Sequence, residues 1–419
     1  MRKFSFNKKP KLFLYNYITL HICCQYRFSR FYVEKTHFLP CFTALLQADG
    51  QKRRAERNST EKTNIPRFST YTNSMKIVFS GGGTAGHVTP NLAIANKLTN
   101  ETLYYVGTNG MEKNLVKPYV DSGIITEYAE ITANKLRRKL TLSNLALPFQ
   151  LIKSVKQAKK HLERIRPDVV FSKGGYVGLP VIIAARKLKI PSIIHESDMS
   201  LGLANRISKA YATELLSSFP CDKKAKVIGV IIRDEILRGD RQKGLETMGF
   251  DGKKPVLLVM GGSLGASALN EAVTANPSLA ETFDVFVITG KGKKTDCEFV
   301  HQTEYVNNVG DLFAASDVCL TRAGSNSLAE LTLACVPFVT VPLTKCSRGE
   351  QVKNAQWFVS RGCGITVSEE NLLKTLPDAV KTAYGNRQTI VRKQRQHADL
   401  YGTDKAVDEI LKMKNRKKR

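Results

Sequence analysis

One local pattern occurs twice and constrains this chain more than any other feature. A short β-rich run leads into Gly81-Gly82-Gly83-Thr84-Ala85-Gly86, and a second leads into Gly261-Gly262-Ser263-Leu264-Gly265-Ala266. Each loop runs directly into a helical stretch. Gly82 and Gly262 lie 180 residues apart, about one domain length. Further strands are predicted at 102–106, 168–172, 191–195, 226–230, 255–260, 284–289, 317–321 and 337–342, the first following 76–80. Helices are predicted between them, for example over 90–98 and 150–164. Continuous apolar strands alternating with helices predict parallel sheets covered on both faces. The expected fold class is therefore α/β, with two Rossmann-like doubly wound domains facing across a cleft. Their boundary is expected near Gly229–Asp234. Ligands of such sheets bind beyond the carboxyl ends of the strands.

Composition excludes several other classes. With 42% hydrophobic and 24% charged residues among 419, the chain is neither collagen, coiled coil nor wholly disordered. No apolar run reaches the roughly 18–20 residues of a membrane-spanning helix. The net charge of +27 favours anionic partners, but it gathers at the ends. Residues 1–74 carry 14 Lys/Arg against 4 Asp/Glu, and residues 411–419 carry six basic residues and no acid. That distribution argues against a nucleic-acid-binding protein, and no nucleic acid is expected as a partner. Nine cysteines with one adjacent pair, Cys23-Cys24, have neither zinc-ligand spacing nor a redox Cys-x-x-Cys, and read as reduced thiols.

Residues 1–74 differ from the rest of the chain. They are aromatic and basic without clear periodicity. Leu12–Cys24 is apolar but broken by Asn16, Thr19 and His21, which makes a poor signal-peptide core. Met75 then opens a clean buried-strand pattern. The expectation is that Met75 is the true start and that 1–74 is an unrelated basic extension, disordered or not translated. The alternative is a targeting or anchoring segment.

Four places carry candidate chemistry. The loop at 81–87 can cradle a phosphate, because glycine lets backbone N–H groups approach an anion at a helix N-terminus. It lacks the acidic residue that a nicotinamide site wants after the next strand, and the Lys-Ser/Thr of a P-loop. His87 closes this loop and could take a proton from an attacking hydroxyl; a packed or capping role is the alternative. Glu196, at the carboxyl end of a strand, could be a base, could bind a sugar hydroxyl, or could with Asp198 cap the helix near Leu201. Ser325 and Asn326 open a helix and suit phosphate, while Glu330 one turn later could accept both hydroxyls of a ribose, or simply complement the helix dipole. Finally, residues 134–164 interleave Leu140, Leu142, Leu145, Leu147, Phe149 and Ile152 with Lys135, Arg137, Arg138, Lys139 and Lys153. Such a mixture suits an anionic membrane face, or a core helix with solvated charges.

Six motifs occur in order: GGGTAGHVTP at 81–90, GGYVGLP at 174–180, HES at 195–197, GGSLGA at 261–266, TRAGSNSLAE at 321–330 and SRGEQVKNA at 347–355. Together they resemble the MurG family of peptidoglycan glycosyltransferases over about 75–410, in the form seen in Gram-positive bacteria. The resemblance implies the GT-B architecture. It implies an acceptor and membrane-docking domain over 75–232, a UDP-sugar donor domain over 233–387, and a basic tail at 414–419. A last helix over about 388–413 would cross back onto the first domain.

The resemblance also implies the reaction and its residues. N-acetylglucosamine passes from UDP-N-acetylglucosamine (UDP-GlcNAc) to undecaprenyl-pyrophosphoryl-muramoyl-pentapeptide (lipid I), giving lipid II, by one displacement with inversion. His87 and Glu196 match the residues considered for proton transfer. Thr84, Ala85, Gly86, Asp198, Arg233, Ser263, Val306, Glu330 and Gln351 match donor contacts. Of these, Val306 matches the uracil position, Glu330 the ribose carboxylate and Gln351 a contact to sugar hydroxyls. Gly82, Gly83, Gly262, Gly265, Ser325 and Asn326 form the phosphate loops. Leu142, Leu145, Phe149, Arg137 and Arg138 fall in the membrane-docking region. The implied partners are UDP-GlcNAc, lipid I and the anionic inner face of the cytoplasmic membrane, where the protein would sit peripherally, with cell-wall or division proteins as further partners. No cofactor is implied, and without an Asp-x-Asp motif no obligatory metal is expected. Three positions depart from the common pattern: Asp198 where many members have Asn, Val230-Ile231 where many have Asn-Pro or Ser-Pro, and Ala85 where Gly is common.

Overall fold

The computed structural model describes residues 74–133, 147–262, 265–294, 296–306, 308–344 and 349–416. Expectations for 1–73 and for the tail beyond 416 lie outside them. The described residues make one compact unit.

The first sheet is built from β1 (Lys76–Ser80), β2 (Thr102–Gly107), β3 (Glu127–Glu130), β4 (Val169–Ser172), β5 (Ser192–Glu196), β6 (Glu214–Ser217) and β7 (Lys226–Val227). Between them run α1 (Thr89–Ala95), α2 (Met111–Asp121), α3 (Leu147–Ile165), α4 (Gly175–Lys187) and α5 (Leu203–Ser208). The second half opens with α6 (Arg241–Met248). It continues with β8 (Val256–Met260), α7 (Ser267–Thr274), α8 (Leu279–Thr282), β9 (Asp284–Ile288), β10 (Val300–Thr303) and α9 (Val309–Ala315). Then follow β11 (Val318–Thr321), α10 (Ser325–Leu333), β12 (Phe338–Thr340), α11 (Glu350–Val359), β13 (Gly364–Thr366), α12 (Leu372–Gly385), α13 (Arg387–Gln394) and α14 (Thr403–Arg416).

Both sheets are parallel throughout, in the orders β3-β2-β1-β4-β5-β6-β7 and β10-β9-β8-β11-β12-β13. Strand order reverses between β1 and β4 in the first sheet, and between β8 and β11 in the second. These are the switch points at which doubly wound sheets bind ligands. The strands beside them are apolar on both faces because helices cover both faces: all of β4 and β11 is buried, and Lys76 alone of β1 is exposed. Two cores flank each sheet, for example Phe79, Val116 and Phe171 on one face of the first and Val78, Leu162 and Ile182 on the other.

The chain crosses between the domains twice, and the two crossings lie side by side. Gly402 N–H donates to Val230 O at 2.9 Å, and Thr403 Oγ1 accepts from Ile232 N–H at 3.0 Å. Lys97 from the first domain reaches Asp234 at 2.8 Å and Asp404 at 2.9 Å. The expected single helix over 388–413 is instead two helices separated by a 3-10 stretch at Arg395–Leu400. The break is needed for the crossing. Gln394 stays in the second domain, donating to Val336 O and Cys363 O at 2.8 Å each. Only α14 enters the first domain, where Ala406, Ile410 and Met413 join its core.

Candidate active site

The loop after β1 is shaped by what lies behind it. Gly83 has φ +82°, and a Cβ there would lie 2.5 Å from the Tyr176 ring, so glycine is required twice over. Its N–H turns inward and donates to Glu112 Oε2 at 3.2 Å. Glu112 is fully buried and also accepts the Thr108 N–H at 3.0 Å and the Thr108 hydroxyl. A buried carboxylate thus braces the loop, and the amide of Gly83 is engaged with it. Thr84, Ala85 and His87 are half-buried and Gly86 is exposed. Thr84 Oγ1 and His87 Nδ1 are 2.9 Å apart. If Nδ1 carries the proton and donates to Thr84, the lone pair able to accept a proton lies on Nε2.

The turn after β5 is held by Glu196. Its Oε1 accepts the N–H groups of Ser197 at 2.9 Å and Asp198 at 3.2 Å; its Oε2 accepts Gly202 N–H at 2.9 Å and Asn205 Nδ2 at 3.0 Å. Burial and repulsion from Asp198 push this carboxyl up, and the donated hydrogen bonds oppose that rise. Four donors on two oxygens are the arrangement of a carboxylate that fixes a turn. Three of these donors are backbone N–H groups between Ser197 and Gly202, the residue before α5, and the fourth is the Asn205 side chain in α5.

Lys173 at the end of β4 is 2% exposed. Its ammonium lies 2.6 Å from His195 Nδ1 and donates to Ser197 Oγ. Burial pushes Lys173 down, with Glu196 and then Asp198 acting in the other direction. Burial and Lys173 together hold His195 well below its ordinary value, so the ring is neutral. The motif GGYVGLP marks this segment in the sequence, but Lys173 itself carried no signal: a lysine after an apolar strand is ordinarily solvated.

Two of the described hydrogen bonds cross the interdomain cleft, and the first of them joins the two switch points. Asn326 Nδ2 donates to Gly86 O at 3.4 Å, and Asn354 Nδ2 donates to Asp198 Oδ1 at 3.2 Å. Asn354 also donates to Ala323 O at 3.1 Å, in the loop that opens α10. Sequence reasoning did not single out Asn354, although it stands one helical turn after Gln351. Gln351 Oε1 accepts Leu343 N–H at 2.9 Å. Ser325 is buried at the start of α10. Arg322 is turned away from the cleft, donating to Val341 O at 3.2 Å and Glu369 at 2.6 Å.

Glu330 and Arg233 stand within electrostatic reach. Burial pushes the Glu330 carboxyl up to about 7, and Arg233 opposes the rise. Arg233 is itself paired with Glu235. Gly262 and Gly265 both have positive φ, at +79° and +66°, while Ser263 lies outside the described residues. Val306 lines a recess of about 330 Å³ with Thr247, Tyr305 and Asn308 on the second domain. That recess includes neither His87, Glu196 nor either glycine loop. The structure therefore brings together the loop at 84–87, the turn at 195–198, Asn326 and Asn354.

Of the membrane-docking candidates, Arg137, Arg138, Leu142 and Leu145 lie outside the described residues. Phe149 is 76% exposed and Ile152 48% exposed on α3, with Lys153 and Lys156 also exposed. No described helix is long and apolar enough to cross a membrane.

Two Rossmann-type domains with a hydrogen bond between their switch points define the fold class, the GT-B architecture. Residues 77–217 match the glycosyltransferase family 28 N-terminal domain, and residues 256–410 match its C-terminal domain. A UDP-N-acetylglucosamine–N-acetylmuramyl-(pentapeptide) pyrophosphoryl-undecaprenol N-acetylglucosamine transferase of Staphylococcus haemolyticus is 38% identical over 354 residues, spanning 80% of this chain and 99% of the relative. The enzyme of the same name from Legionella pneumophila (strain Paris) is 39% identical over 353 residues, spanning 80% and 96%. Acinetobacter baumannii MurG superposes with a TM-score of 0.62 at 27% identity, over 81% of this chain and 99% of that one. The calicheamicin glycosyltransferase CalG4 shares the fold, with a TM-score of 0.61 at 16% identity over 82% and 99%. The chain belongs to glycosyltransferase family 28, and within it to the MurG family.

Proposed function

We propose that this protein transfers N-acetylglucosamine from UDP-GlcNAc to the muramoyl 4-hydroxyl of lipid I, forming lipid II. The observation that carries this reading is that the chain spans 96–99% of relatives whose names state that transfer. The hydroxyl oxygen attacks the anomeric carbon, the bond from that carbon to the UDP oxygen breaks, and the configuration inverts. The hydroxyl proton passes to His87 Nε2. Glu196 holds the turn that carries Asp198 and is not the proton acceptor. Charge grows on the departing diphosphate, and preorganised donors near a helix N-terminus stabilise it. Ser325 and Asn326 at the start of α10, with the loop at 261–266, are assigned that part, and Arg233 adds a full charge. Glu330 holds the ribose hydroxyls, Val306 pairs with uracil through its backbone, and Gln351 contacts the sugar.

The acceptor carries a long lipid, so the protein works peripherally on the inner face of the cytoplasmic membrane. The exposed Phe149 and Ile152 beside Lys153 and Lys156 support docking there, each lysine contributing about 1 kcal/mol near an anionic surface. The test compares His87→Ala with the parent protein, using a lipid-linked acceptor and resolving the anomeric configuration of the product. Turnover should fall about 10²–10⁴-fold with donor affinity little changed, and the parent's new linkage should be β. Unchanged turnover removes His87 from the role, and an α linkage refutes the single displacement.

A further inference from the structure

Lys173 is a buried amino group that no part of the reaction above uses. The groups that face it come from the end of β5, His195 and Glu196, and from the turn that follows, Ser197 and Asp198: Nζ touches His195 and Ser197 and acts on the carboxylates through space. Glu196 and Asp198 are carboxylates two residues apart, and the Asp198 N–H is bound to Glu196. Asp198 repels the Glu196 carboxylate in this partly buried turn, and an opposite charge nearby offsets that repulsion.

Asp198 does more than fill the turn. Its Oδ1 accepts from Asn354, which is 1% exposed and also holds Ala323 O beside the start of α10. A continuous series of contacts therefore runs from Lys173 through Ser197 and Asp198 to Asn354, and so from the acceptor domain to the donor domain.

We infer that Lys173 is a positioning residue: its ammonium is the counter-charge that lets an aspartate occupy position 198, and it thereby sets the interdomain contact of Asp198 with Asn354. This rests on the transferase reading above. Lys173 does not touch substrate; it acts through the turn.

The test is a double-mutant cycle in the full chain, with transfer from UDP-GlcNAc as the readout. Lys173→Met keeps the length and packing of the stem and removes the charge. In the parent background it should lower kcat/KM for UDP-GlcNAc about tenfold or more, with KM for the donor rising. In an Asp198→Asn background the same substitution should cost several-fold less, because the charge it balanced is gone. Equal losses in both backgrounds overturn the inference, since a packing role for the stem predicts them. Should Lys173→Met accumulate unfolded, the double variant decides. Recovery of folded, active protein supports the pairing, and an equally unfolded double variant refutes it. Urea midpoints of the four proteins read the same coupling without substrate. A parent protein that fails to transfer the sugar thus counts against the reaction, while additive midpoints count against the pairing.

Discussion

Replacing Glu196 by Gln separates two roles that a carboxylate at this place could have. The carboxylate accepts four hydrogen bonds, two on each oxygen. A glutamine presents one oxygen and one NH2. Whichever way the amide is turned, two of the four donors then face another donor. Asn205 could turn its own amide to meet the new NH2, but it would give up its 3.0 Å bond to His195 O. Hydrogen bonds to a charged group contribute about 1.5–3 kcal/mol each, so losing two costs about 3–6 kcal/mol. Removing the charge relieves its burial and its repulsion by Asp198, which places the net loss near the lower end, about 3 kcal/mol. That is a large part of the roughly 5–15 kcal/mol that holds a domain folded. Urea unfolding followed by far-UV circular dichroism measures it, alongside steady-state kinetics. The expected result is a clearly lowered midpoint, with turnover and the KM of both substrates changed together. An unchanged midpoint with turnover reduced about 10²–10⁴-fold, the signature of a lost general base, would refute the reasoning.

Three other outcomes follow from the geometry. Glu330 is pushed up to about 7 in the free protein, and a ribose diol is held best by the carboxylate. UDP affinity measured by calorimetry should therefore weaken as pH falls through about 7, and Glu330→Gln should flatten that dependence. Lys97→Met should destabilise the chain by about 1 kcal/mol, because it removes the ties to Asp234 and Asp404. Its partner Asp234 is held below the usual carboxylate range by that pairing after opposing burial. The difference between variant and parent should be present at neutral pH and disappear as pH falls below about 4. Transfer activity should survive EDTA, and a loss restored by magnesium would contradict the metal-free reading of the sequence.

What was legible in the sequence was local. Glycine loops announce themselves because a strand, a turn needing positive φ and a helix follow one another within about ten residues. Most buried strands did likewise, since a parallel strand covered on both faces is one apolar run, although β6, which reads Glu-Leu-Leu-Ser, was missed. Of the four edge strands only β7 was legible, within the predicted strand at 226–230. β3 reads Glu-Tyr-Ala-Glu and β10 reads Val-His-Gln-Thr; each lies at the outer edge of its sheet and has no apolar run to show. Residues 395–402 looked continuous with a helix, and only the need to return beside Val230 explains the break. Lys173, Glu112 and Asn354 were invisible for a common reason. Each is polar, and its burial depends on elements distant in sequence. Glu196 was visible as a candidate, but its role was not, because that depends on four donors that come from its own turn and from α5.

The central claim is the transfer itself. The direct measurement incubates the full-length protein with radiolabelled UDP-GlcNAc and a lipid-linked muramoyl-pentapeptide, then counts label in the lipid phase. The account predicts label in the lipid product only when the muramoyl acceptor is present. Label transferred to a diacylglycerol acceptor, with none on the muramoyl lipid, would contradict it and leave only the donor half of the assignment standing.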